Sequence, residues 1–200
     1  MRDGWNLIGH PVKEPTAPSE IFKSVINDVE IVKSLTRSYN PTLPAFLNTL
    51  IQMEAGKGYW VKMKRSAALK FGDGNSVLRT ITKMTPKIPS DGIFGQVIVY
   101  PNVSATVLAE VTVEGKAVSS GSLVGAFVGD ELRGKQEVVL SNGRSYVAIN
   151  VNLIESERVI YRIWDDASEK EYRVAQSMAL EMGDTYGTAE KLVKLDGVAP

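Results

Sequence analysis

Between Val103 and Val113 every second residue is small or apolar: Val103, Ala105, Val107, Ala109, Val111 and Val113 share one face of an extended chain. That period of two is the signature of a strand with one buried face. The same reading predicts strands at 97–100, 123–128, 134–140, 146–153, 158–164 and 171–174. Turns separate them at Glu114-Gly115-Lys116, Ser141-Asn142-Gly143 and Asp165-Asp166-Ala167-Ser168, and Asn-Gly favours a tight hairpin. Seven or eight short strands with no convincing helix predict an antiparallel β-sandwich over 92–200. The tail, Leu195-Asp196-Gly197-Val198-Ala199-Pro200, reads as a linker.

The first half is patterned differently. Trp5 to Val12 reads as a strand ended by proline, and Pro11, Pro15 and Pro18 keep the next stretch extended. Ser19 is placed to cap a helix carrying Ile21, Phe22, Val25 and Ile26 at helical spacing, which Asn27-Asp28 ends. Over 29–35 a strand puts Val29, Ile31 and Lys33 on one face and Glu30, Val32 and Ser34 on the other. Tyr39-Asn40-Pro41 turns the chain, and 44–50 forms a short helix or an irregular segment. After the turn Glu54-Ala55-Gly56-Lys57-Gly58, a strand over 59–64 sets Tyr59, Val61 and Met63 against Trp60, Lys62 and Lys64. Glycines and prolines cluster over 72–92, the best boundary in the chain. The expected architecture is mainly β: a small α+β domain over 1–85, then the sandwich.

Composition narrows the chemistry. A chain of 200 residues is one large domain or two small ones, and 44% apolar with 23% charged residues excludes wholesale disorder. No apolar run approaches a membrane span, and Met1-Arg2-Asp3-Gly4 is followed by no signal-peptide core. Cysteine is absent and histidine occurs once, at His10. Disulfides, thiol nucleophiles, cysteine zinc sites and multi-histidine metal sites are therefore excluded. His10, between Gly9 and Pro11, reads as a structural or surface residue. Net charge is zero, but residues 1–90 carry 13 basic and 7 acidic residues while 91–200 carry 10 and 16. That asymmetry of +6 against −6 can mark a nucleic-acid patch. The basic residues are dispersed, so it reads instead as two domains that attract one another or their neighbours, an attraction that salt should weaken.

Few residues carry candidate chemistry. Asp165 and Asp166 are adjacent, so on a strand they would point to opposite faces; in a loop they read as a solvated turn, or as ligands for calcium, the one cofactor in view. Asp73-Gly74-Asn75-Ser76 resembles a fragment of a calcium loop without its closing glutamate. With Asp130 and Glu131, Asp165 and Asp166 are also the only carboxylates a hydrolase or lyase reading could use, and their spacing does not support it. Trp60, between Lys62 and Lys64 on its face, reads as packing with snorkelling lysines, or as a platform for a sugar. Tyr39 and Trp164 are the other stacking candidates. Asp130 and Arg133 flank a turn and read as a local ion pair. No phosphate loop or dinucleotide fingerprint is present.

Two patches resemble known modules. Gly4-Trp5-Asn6-Leu7-Ile8-Gly9, followed about fifty residues later by Glu54-Ala55-Gly56-Lys57-Gly58-Tyr59-Trp60-Val61, resembles a repeat module of large bacterial secreted and cell-surface proteins. Gly121 to Gly134, with Val124-Gly125-Ala126-Phe127-Val128-Gly129-Asp130-Glu131-Leu132-Arg133-Gly134, is similar to a β-sandwich repeat found beside it, as is Tyr161-Arg162-Ile163-Trp164-Asp165-Asp166. His10 departs from the first pattern, which more often has an apolar residue there. The resemblance implies an extracellular or cell-surface setting, tandem arrangement, and structural roles for Trp5, Gly58, Tyr59, Asp130 and Arg133. The expected function is non-catalytic: a structural or adhesive module that docks onto neighbouring modules, without nucleic acid or membrane span. The alternative is a carbohydrate-binding module using Trp60, Tyr39 and Trp164.

Overall fold

The alternation at 59–64 is realised as a strand whose odd residues, Tyr59, Val61 and Met63, are all buried. A computed structural model describes residues 1–71 and 92–199. The boundary region, apart from residue 92, and the Asp73-Gly74-Asn75-Ser76 fragment lie outside the described residues. Two compact units divide the rest: 1–34, 38–43 and 48–71 form the first, and 35–37, 44–47 and 92–199 the second.

The first unit is a four-stranded antiparallel sheet. Its strands are β1 (Gly4–Gly9), β2 (Val29–Lys33), β3 (Ser38–Tyr39) and β4 (Gly58–Met63), in the order β1-β4-β2-β3. Phe22, Val29, Val32, Leu50, Met53, Tyr59, Val61 and Met63 form its core. The helix expected over 19–26 is only one turn, α1 (Pro18–Ile21). Ala17, not Ser19, is its N-cap and makes no side-chain cap bond, while Pro18 opens the helix. The ten residues between Pro18 and β2 fall short of the roughly 12–15 at which a helix supports itself, and one turn already buries Ile21 and Phe22. A register shift between Val29 and Ile31 changes the expected faces of β2. Val29 and Val32 face the core, whereas Ile31 and Lys33 pair with Lys62 and Trp60 on the opposite face.

The second unit contributes the remaining strands among the described residues. They are β5 (Ala105–Val113), β6 (Lys116–Ala117), β7 (Leu123–Val128), β8 (Glu131–Glu137), β9 (Val139–Ser141), β10 (Arg144–Val151), β11 (Glu157–Asp165), β12 (Lys170–Val174), β13 (Met178–Leu180), β14 (Thr185–Tyr186) and β15 (Val193–Val198). They make one eleven-stranded sheet whose main path runs β8-β7-β11-β12-β15-β5-β10-β9. The mainly β class follows from the alternation. The expected face of β5 is the core: Ala105, Val107, Ala109 and Val111 are fully buried with Val124, Ile149, Tyr161, Ile163 and Leu195. The pairing is antiparallel except at β5, which takes β14 and β15 as parallel neighbours.

Three local expectations change. Residues 97–100 are not a strand; Ile98 N–H donates to the Leu132 carbonyl at 2.8 Å, between a positive-φ pair, Phe94-Gly95, and Pro101. Residues 193–198 are not a linker but β15, with Leu195 wholly buried. The sheet also curls until β8 meets β10. Asn152 N–H and its side-chain amide both donate to the Arg133 carbonyl, at 2.8 and 3.1 Å. Gly134 lies so close that a Cβ there would fall inside the contact distance of the Asn150 carbonyl oxygen.

Candidate functional site

One face of the first sheet gathers two of the aromatics singled out from sequence, Trp5 and Trp60. The β1–β4 register sets Trp5 opposite Lys62 and Leu7 opposite Trp60, and β2 adds Lys33 opposite Trp60. Directly opposed residues share a face, so two indoles, two lysines and a leucine lie together. The Lys33 and Lys62 ammoniums stand 5.4 and 6.0 Å from the Trp5 ring centroid, within cation–π range. Lys62 also pairs with Glu30 at 3.0 Å. Lys33 is wholly buried, Trp5 and Trp60 are half-buried, and Leu7 is 63% exposed on the edge strand. Ile31 and Lys33 of this face are buried, so what it presents is its β1 end: exposed Leu7 with the partly exposed Trp5 and Trp60 beside it.

The glycine-rich turn before β4 is held by its own sequence. Gly56 has φ +75, and Glu54 N–H donates to the Tyr59 hydroxyl at 2.7 Å. Tyr59 thus plugs the core while its hydroxyl closes the turn that delivers Gly58 and Trp60. His10 lies alongside, 2% exposed; its N–H donates to the Lys57 carbonyl and its carbonyl accepts from Gly56 N–H. Neither ring nitrogen has a hydrogen-bond partner among the described residues.

Tyr39 does not join Trp60. It pairs with Val32, packs against the core, and burial pushes its hydroxyl pKa up. The two candidate rings thus occupy opposite faces of one sheet. Trp164 belongs to the second unit, on β11 opposite Leu123 and Glu171. The three aromatics form no common platform in the first sheet.

Asp165 and Asp166 diverge as well. Asp165 accepts from the Ser168 hydroxyl at 2.7 Å, the Ser168 N–H at 3.2 Å, and the Ser122 and Ser119 hydroxyls at 3.3 and 3.4 Å. Burial works against its charged form, but these donors outweigh it and hold its pKa below the usual carboxylate value. Asp166 is exposed, and its carboxylate lies over Gly121. Among the described residues no three His, Cys, Asp or Glu side chains group as a metal site. Because the folded-state pKa of Asp165 is depressed, the stability it contributes is present above its unfolded pKa near 4 and is lost as pH falls through the lower folded value. The melting-temperature gap between the native chain and Asp165→Asn should therefore be widest near neutrality and narrow below about pH 4; a gap that is constant down to pH 3 would sink this assignment.

The Asp130–Arg133 pair does not form. Arg133, 3% exposed, turns to Glu131 at 2.8 Å, to Glu157 at 3.3 Å and to the Asn152 carbonyl at 3.1 Å, with its guanidinium 4.4 Å from the Tyr100 ring centroid. On β8, Glu131 reaches Arg133 because residues two apart share a face. Asp130 sits in the hairpin turn with Gly129 at φ +57. Sequence proximity suggested the wrong acid, and Glu157 is brought in only by tertiary folding. Leu7 shares the Trp5 face through its two-residue spacing, a signal the sequence carries.

No protein-family model, curated protein or solved structure matches this chain.

Proposed function

We propose that the chain is a non-catalytic structural or adhesive module of a larger bacterial extracellular or cell-surface protein, and that it docks onto neighbouring modules through the outer face of its first sheet. The observation that supports this reading most is Leu7, 63% exposed on an uncharged edge strand and flanked by Trp5 and Trp60. Burying a side chain of that size is worth about 1.5–3 kcal/mol, so a partner that covers this face gains from it directly. The arginine and aspartate clusters of the second unit are engaged in holding its loops and its sheet seam, which fits a scaffold.

A second reading is supported by Trp60 itself. A half-buried indole opposite Leu7, with Lys62 on the same face, resembles a sugar-stacking surface. In that reading the module binds carbohydrate, with Asp165 and Asp166 as its calcium candidates and Trp60 as the stacking residue. Affinity electrophoresis through a panel of polysaccharides, with and without calcium, separates the two. The docking reading expects no retardation, and a Trp60→Ala chain destabilised by about 1–3 kcal/mol through lost packing. Retardation that Trp60→Ala abolishes at an unchanged melting temperature would put the carbohydrate reading first.

A further inference from the structure

The hydrogen-bond phase of β1 reveals what its free edge offers. His10 N–H donates to the Lys57 carbonyl at 3.1 Å, in line with the register that pairs Gly9 with Gly58. Hydrogen-bonded and non-hydrogen-bonded pairs alternate in an antiparallel ladder. Gly4, Asn6 and Ile8 therefore direct their N–H and C=O groups towards β4, and Trp5, Leu7 and Gly9 direct theirs away from it. Among the described residues β1 pairs with β4 alone. Edge strands are commonly protected by lysine, proline or brevity. Gly4–Gly9 contains no charge and no proline and is six residues long.

We propose that this edge pairs with the β1 edge of a second copy of the chain, antiparallel about a two-fold axis through Asn6. The inference rests on the docking reading and names its partner. Paired residues must share a face and must both point their backbone groups outward, so the axis has to pass through a residue rather than between two. Centred on Asn6, the register sets Trp5 opposite Leu7 of the second copy, and Leu7 opposite its Trp5. The most exposed apolar side chain of the strand is then covered by an indole, twice, with four new backbone hydrogen bonds expected from those two pairs. Gly4, at φ +76, ends the strand, and Arg2 and Asp3 bond instead to the Asn6 side chain and the Ser66 hydroxyl, so the paired segment itself carries no charge. Isologous contacts of this kind close after two subunits. So small an interface makes a weak dimer.

The test is sedimentation velocity of the full chain from about 10 µM to about 1 mM, the range in which a weak dimer dissociates. A concentration-dependent dimer is expected, and Leu7→Lys should raise its dissociation constant at least tenfold with unchanged circular dichroism. The chain has no cysteine, so single-cysteine variants test the register independently of Leu7→Lys folding. Asn6→Cys lies on the axis in a non-hydrogen-bonded pair, where Cβ atoms approach to about 4.5–5.5 Å, and should cross-link under mild oxidation faster than Leu7→Cys or the exposed control Leu140→Cys. A monomer across the whole series, a dimer indifferent to Leu7→Lys, or equal cross-linking of the three variants would overturn the pairing. If the chain stays monomeric but a different β module binds it through Leu7, the second-copy assignment fails and the docking reading stands. If neither binds, both fail.

Discussion

A chain ending at Leu192 is expected to lose the cooperative unfolding transition of its second unit. β15 runs between β12 and β5, pairing with β5 over Val193–Gly197 and with β12 at Gly197 and Val198. Leu195 is fully buried in the core. Gly197 lies against Tyr172, Ile163 and Val113 so tightly that a Cβ would press on all three. Asp196 accepts the Thr112 hydroxyl at 2.6 Å and the Gly115 N–H at 3.0 Å, and its carbonyl neighbour at Gly197 accepts from Glu114 N–H. Replacing one such buried leucine by alanine costs about 2–5 kcal/mol. Removing the strand also bares the facing edges of β5 and β12, against a total stability of about 5–15 kcal/mol for a typical domain. Near-ultraviolet circular dichroism and calorimetry read the result: the second unit's transition should vanish. A truncated chain that melts within a few degrees of the full one would refute the placement of β15.

The second large effect is expected at Arg133. Its guanidinium is almost fully buried, and Arg133→Met leaves Glu157, the Asn152 carbonyl and Tyr100 without the cation that binds them together. Breaking a buried pair from one side costs about 3–5 kcal/mol, a fall in melting temperature of at least about 12 °C for a unit of this size. Arg133→Lys should fail to rescue it, because a single ammonium cannot engage two carboxylates and a carbonyl in one plane. Glu131→Gln should cost far less, since that carboxylate is about half exposed. Adding Glu157→Leu to Arg133→Met should recover much of the loss by removing the orphaned charge. Denaturant midpoints of the four chains test this ordering. Equal stability of native and Arg133→Met would show that the cage contributes nothing.

What was legible in the sequence is what depends on local alternation. The strand at 123–128 is found with its predicted bounds, and the inward set Tyr59, Val61 and Met63 follows from period alone. A one-residue irregularity suffices to defeat that reasoning: the bulge at Val29/Ile31 sends Lys33 to the face of Trp60. Partners set by tertiary folding were not visible. Nothing near Arg133 in sequence points to Glu157, and nothing in Leu195-Asp196-Gly197-Val198 announces a parallel neighbour 84 residues earlier. The tail, six residues with Gly197 inside and Pro200 at its end, lacks the length of a typical strand signal, although Val193, Leu195 and Gly197 carry the required alternation. Tyr39, Trp60 and Trp164 are stacking candidates by residue type alone, and type does not say on which side of a sheet a ring will lie, as Tyr39 and Trp60 demonstrate.

The pairing of the last strand with β5 also governs when the second unit becomes a folded object. On the ribosome, β5, β7, β8, β10 and β11 emerge first, carrying a row of valines, alanines and isoleucines whose central partner has not been synthesised. Contacts so distant in sequence slow folding, and the open edges of β5 and β12 are templates for intermolecular pairing during the wait. Translation must pass Val198 before that gap can close. Slow elongation between β12 and Val198 should therefore raise aggregation of the nascent chain more than an equal delay before β5. The fold thus places its most dangerous interval between the synthesis of β12 and that of β15.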